Sequence, residues 1–124
     1  MAAPGLLVHC FAPCKEEVRV LPIEGSPALG DLQRYVQEME TERGFTHRGV
    51  VQQCLLLGEE IGELFKAVRK HEKMRTGTTS ITGTVDEELA DVLIYVCAIA
   101  NRLDVNLEDA LRRKEAFNET RVWA

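Results

Sequence analysis

This sequence has no excess of positive charge. Its 124 residues carry 15 Lys and Arg against 20 Asp and Glu, a net charge of −5. That balance lacks the basic footprint of a nucleic-acid-binding domain. An anionic ligand would need local cations, from side chains or metal ions. Long hydrophobic runs are also missing: the longest, Val92 to Ala100, is too short to span a bilayer. Cysteine is scarce. Cys10 and Cys14 share a C-x3-C spacing with no second pair to complete a zinc site, and no small disulfide scaffold is suggested. Cys54 and Cys97 sit in apolar helical patterns and read as small buried hydrophobes with reduced thiols. The opening MAAPGLLVHCFAP lacks the basic region of a signal peptide. Repeats and low-complexity segments are absent. These absences predict a soluble, cytoplasmic chain with no nucleic-acid or membrane partner.

What is present suits one domain with a core: 45% of the residues are hydrophobic and 28% charged. Residues 1–25 differ from the rest. They hold Pro4, Pro13 and Pro22, and EEVRVLPI alternates as a short strand or extended arm would. Residues 26–124 read as helices. Ser26 and Pro27 predict the start of a first helix carrying Leu29, Leu32, Tyr35, Val36 and Met39, and Gly44 its stop. A second helix is predicted from about His47 to Lys73, with Gly58 and Gly62 inside it. Each glycine costs about 1 kcal/mol against Ala. They clear one strip, for another helix or for something else that approaches the backbone. The Gly/Thr/Ser segment 76–83 is a loop. Thr84 and Glu87 have capping-box spacing and open a third helix that runs to about Leu103. Asn106 caps a fourth, toward Arg121. Four helices with short links predict an all-α, antiparallel bundle. The third helix is apolar nearly all round, more than one chain of this size can bury. This predicts a homo-oligomer, a dimer at least.

Carboxylates interrupt the apolar helices. Glu60 and Glu63 lie about 60° apart on one face of the second helix. Glu88 and Asp91 repeat the spacing on the third, where Asp91 stands between Ala90 and Val92 and is expected to be poorly solvated. Burying a lone carboxylate costs several kcal/mol, and four that converge would also repel one another. Helix three offers no cation before Arg102; Lys66, three residues from Glu63, neutralises one charge at most. A divalent cation is the economical answer, and all-oxygen ligands favour Mg²⁺, with Mn²⁺ as substitute and Ca²⁺ as competitor. A carboxylate-bridged di-iron site would need Glu-x-x-His pairs, and His9, His47 and His71 stand at neither position. Glu59 is beside the metal face. The spacing allows it to bind a second ion, to take a proton from the attacking water, or simply to be solvated.

Glu59-Glu60-x-x-Glu63 followed by Glu88-x-x-Asp91 resembles the E-E-x-x-E…E-x-x-D signature of the MazG-like, all-α nucleoside-triphosphate pyrophosphohydrolases. The resemblance spans roughly residues 29 to 123 and leaves residues 1–25 outside. It implies Mg²⁺-dependent cleavage between the α- and β-phosphates of a nucleoside triphosphate, releasing a monophosphate and pyrophosphate. Glu60, Glu63, Glu88 and Asp91 would hold the metal, and Glu59 would be the base or an additional ligand. It implies a homodimer or homotetramer, in agreement with helix three. Near the end, Lys114, Asn118, Arg121 and Trp123 are similar to a family pattern that grips phosphate and sugar. A basic helix end that satisfies its own dipole is the alternative; the resemblance favours the phosphate grip. The base pocket would draw on the first two helices, with Phe45, His47, Gln52 and Gln53 as candidates, each of which singly reads as ordinary surface. Rival readings are a phosphoribosyl-ATP or dUTP-selective enzyme, a metal-stabilised interaction module without catalysis, and a regulatory protein that keeps the motif but not the activity.

Overall fold

The computed structural model describes residues 23–77, 79 and 81–122. The predicted N-terminal arm falls almost wholly outside these residues, as does Trp123. Among the described residues there are four helices and no strand: α1 Leu29–Glu42, α2 Val50–His71, α3 Val85–Arg102 and α4 Leu107–Asn118. This is the all-helical architecture that the periodicity predicts.

The helix ends follow from local hydrogen bonding. α1 begins at Leu29, later than Ser26 and Pro27 predict, because the Asp31 carboxylate accepts from the Ala28 N–H at 2.9 Å. This N3 carboxylate serves the N-cap residue's own N–H, the returning half of a capping box, and fixes the start there. At the other end Gly44, at φ +71°, lets its own N–H reach the Thr41 carbonyl while Phe45 N–H reaches Glu40 at 2.7 Å. That is the paired closure of a Schellman motif. α3 opens as expected: Thr84 N–H donates to Glu87 Oε2 at 2.8 Å. Asn106 Oδ1 accepts from Asp109 N–H at the start of α4. α4 ends at Asn118, so Arg121 lies in the turn beyond the helix.

α2 and α3 form the main packed pair, α1 lies across α3, and α4 rests on α1. The core joins Val36 and Met39 of α1 to Cys97 and Ala98 of α3, with Leu32, Tyr35, Ile94 and Leu107 around them. Cys97 is buried as predicted; Cys54 is exposed, because it lies on the face of α2 turned from α3. A polar knot ties the α1–α2 corner to the end of α3. Both amino nitrogens of Arg102 donate to Glu40, at 2.8 and 2.9 Å, and its Nε to the Arg48 carbonyl at 2.6 Å. This bidentate pair is mostly shielded from solvent, so loss of either partner would strand a charge.

One chain does not bury α3 on every side. Leu89 and Leu93 stay exposed on it. On α2, Val51, Leu55, Gly58, Gly62 and Phe65 recur at spacings of three and four and share one face. The three side chains there are exposed, and nothing meets either glycine within 4 Å.

Candidate metal centre and adjoining cavity

α2 turns Glu60 toward the first turns of α3, where Glu88 and Asp91 stand one helical turn apart. One oxygen from each of these three carboxylates lies within 4.8 Å of the others. The opening of α3 is a favourable place for such charges, since the unpaired N–H groups of a helix N-terminus present positive potential. Glu88 is buried and its Oε1 accepts from the Gly83 N–H at 3.1 Å. A Cβ built at Gly83 would overlap Glu88 Oε1 and come within 3.2 Å of Glu87 Oε2, so a larger residue there would require these carboxylates to move. Burial raises the Glu60 pKa above the ordinary carboxylate value, and the charges of Asp91, Glu88, Glu59 and Glu63 push it further in the same direction.

The predicted residues are not all brought together. Glu63 is drawn aside by Lys66, whose Nζ donates to Glu63 Oε1 at 2.6 Å, the single neutralisation expected for it. Glu59 is exposed next to Glu60. Asp91 is exposed as well, against the expectation that it is poorly solvated: in one chain its side of α3 faces open space. Lys114 is exposed with its ammonium 5.2 Å above the Phe117 ring. Asn118 Nδ2 donates to Glu115, while its Oδ1 is buried without a partner. Arg121 is exposed past the end of α4. Lys114 and Asn118 ride on α4, which packs against α1, and Arg121 follows its end; none of the three lines the cavity beside Glu60 and Asp91.

The donors are carboxylates without sulfur or imidazole, the set suited to a hard cation. An octahedral ion with bonds of about 2.1 Å holds its ligands roughly 3 to 4.2 Å apart. Small side-chain rotations would close the observed spacing to that range, so these residues fit a divalent cation.

A cavity of ≈ 150 Å³ opens beside the carboxylates. Glu60 and Asp91 form one wall; Phe45, Arg43, Arg48, Gln53, Ile94 and Tyr95 contribute others. The Arg48 guanidinium lies 4.0 Å from the centre of the Phe45 ring, a cation–π contact. The Tyr95 pKa is raised, first by burial and then by the Glu60 charge. Of the base-pocket candidates, Phe45 and Gln53 are on this cavity; Gln52 is exposed, and His47 Nδ1 bonds to the Gly44 carbonyl at 2.9 Å. Arg43, Arg48 and Tyr95 are not among the site residues expected from the sequence. Tyr95 had a signal, standing four residues from Asp91 on the same face of α3. The arginines flank the α1–α2 corner, where no periodicity exists to place them.

Residues 51–120 match the model of the MazG nucleotide pyrophosphohydrolase domain. A dATP/dGTP diphosphohydrolase from Cyanophage S-2L is 38% identical over 66 residues, which are 53% of this chain and 50% of that protein. This chain therefore spans half the length of that relative. The uncharacterized protein YvdC of Bacillus subtilis (strain 168) is 29% identical over 91 residues, 68% of this chain and 86% of YvdC. Among solved structures, iMazG from Vibrio DAT 722 superposes in two tagged forms. The C-tagged form has a TM-score of 0.55 and 35% identity, and covers 76% of this chain and 100% of its own. The N-tagged form gives 0.55 and 34%, over 79% and 100%.

Proposed function

Because the chain belongs to the MazG nucleotide pyrophosphohydrolase family, we propose that it hydrolyses (deoxy)nucleoside triphosphates to monophosphate and pyrophosphate. The observation that carries this reading is the convergence of Glu60, Glu88 and Asp91 beside a cavity. Glu60, Glu88 and Asp91 would hold Mg²⁺, or Mn²⁺ in its place, and Glu63 would join them by exchanging its Lys66 partner. When bound, Mg²⁺ neutralises the acidic wall and offsets charge that builds on the departing pyrophosphate. Glu59, exposed beside Glu60, would take the proton of the attacking water or serve as a further ligand. The cavity receives the base side of the nucleotide. Purine deoxynucleotides are the first substrates to test, since the cyanophage relative is named for dATP and dGTP.

Lys114, Asn118 and Arg121 are the proposed grip on phosphate and sugar. In one chain they are away from the cavity wall, so they act there in a homodimer or homotetramer, where α4 of a second copy supplies them. The uncovered faces of α2 and α3 are the surfaces for that assembly.

Pyrophosphate release, measured over a panel of nucleotides with Mg²⁺, tests the reading. Asp91→Asn is expected to lose at least about 100-fold of the rate, since even outer-sphere changes at metal sites cost 10- to 100-fold. An unchanged rate in that variant, or no release from any triphosphate, overturns it.

A further inference from the structure

Gln53, in the first turn of α2, is fully buried. Its Nε2 donates to Glu40 Oε1 at 2.8 Å. Glu40 is a pure acceptor already gripped through both oxygens by Arg102. This fixes the sense of the amide: a flip would set two acceptor oxygens against each other. Gln53 Oε1 therefore has to point elsewhere, and it has no hydrogen-bond partner. Native folds rarely leave a buried carbonyl unserved, because it has given up water and gained nothing.

Gln53 also lines the cavity beside Glu60 and Asp91, together with Phe45, Ile94 and Tyr95. The cavity holds a volume of roughly five waters, room for one flat ring system and too little for a whole nucleotide. Phe45, Ile94 and Tyr95 give the slot flat or apolar walls, Glu60 and Asp91 the charged wall that a cation would occupy, and Gln53 Oε1 is the neutral, fixed and unpartnered acceptor among its lining residues. We propose that Gln53 Oε1 accepts a hydrogen bond from the exocyclic amino group of the nucleobase, and so selects amino-bearing bases such as adenine over analogues without that donor. This rests on the reading that the cavity receives a nucleotide. Shielding from bulk water strengthens the discrimination, since an analogue lacking the amine leaves the carbonyl unserved and solvent does not replace it. Glu40 and Arg102 act through Gln53, as positioning residues.

The test compares dAMP with 2′-deoxynebularine 5′-monophosphate, the same nucleotide without its 6-amino group, by calorimetric titration of the full chain with Mg²⁺. dAMP is expected to bind about 10- to 100-fold more tightly, the span of one buried hydrogen bond together with the unserved group its loss leaves. In Gln53→Met the preference should shrink to within about twofold. The wild-type comparison needs no variant, so it decides the matter even if Gln53→Met fails to fold. Equal affinities, no binding of either ligand, or a folded Gln53→Met that keeps the preference overturns the proposal. Pyrophosphate release from the same preparation separates the two readings. Release without an amine preference removes the role of Gln53 alone, and absence of release removes the pyrophosphohydrolase reading.

Discussion

Burial acts first on the Glu60 carboxyl, and the charges of Asp91, Glu88, Glu59 and Glu63 add to it. All raise its pKa above 4.5, so protonation of Glu60 favours the folded state. That stabilising contribution is complete below the unfolded value and is lost as pH rises through the raised folded value. Above that folded value the ionised Glu60 opposes folding until a cation arrives. Glu60→Gln is expected to raise the Tm of the metal-free protein at pH above that folded value, by a few °C at most because the group is partly open to solvent, and to abolish the further rise on adding Mg²⁺. Calorimetric melting with and without the metal checks both. An unchanged Tm, or a preserved metal response, would show that Glu60 carries no such load. Metal affinity should also climb with pH through the raised Glu60 value, because the ion must displace that proton.

At the scale of the element, the decisive feature is the start of α3. The capping pair of Thr84 and Glu87 sets the helix origin, and Glu88 and Asp91 are then placed by helical geometry alone. Gly83 gives Glu88 the space and the N–H it uses. Gly83→Ala is expected to displace the Glu88 carboxylate and weaken Mg²⁺ binding about tenfold with the helical content unchanged; a metal titration beside far-UV circular dichroism measures this. Unaltered affinity would mean that Glu88 has room to move. Capping also shows where sequence reading reaches. Thr84, Asn106 and Gly44 were legible because their residue types match their roles. The ends of α2 and α3 close with Lys73 at φ 56° and Asp104 at φ 52°, in place of glycine. A left-handed lysine gives no signal in a sequence, which is why the second helix was expected to run two residues further than His71.

For the whole molecule, the question is what covers the apolar faces. Leu89 is 51% exposed and Leu93 42%, and the glycine-smoothed strip of α2 is open along its length. These exposed apolar side chains are the surface proposed above for assembly. If α4 of a second copy completes the site, disassembly and inactivation go together. Leu93→Glu should shift the chain to monomer in light scattering coupled to size exclusion, and lose pyrophosphate release by at least about tenfold, while its helical signal remains. An active monomer would place Lys114, Asn118 and Arg121 outside the reaction.

The order of residues determined the four helices and the all-α class, because hydrophobic period and capping chemistry act over a few residues. It also singled out Glu60, Glu63, Glu88 and Asp91 as a converging set, since a carboxylate amid leucines demands a reason; the fold gathers three of them, Glu60, Glu88 and Asp91. Only the tertiary structure decided that Asp91 stays open in a single chain and that Arg43, Arg48 and Gln53 meet the carboxylates at one cavity. These outcomes depend on the angle at which α1 and α2 cross α3 and on the polar knot at Glu40 and Arg102. Such contacts join residues far apart in the chain, and no local pattern records them.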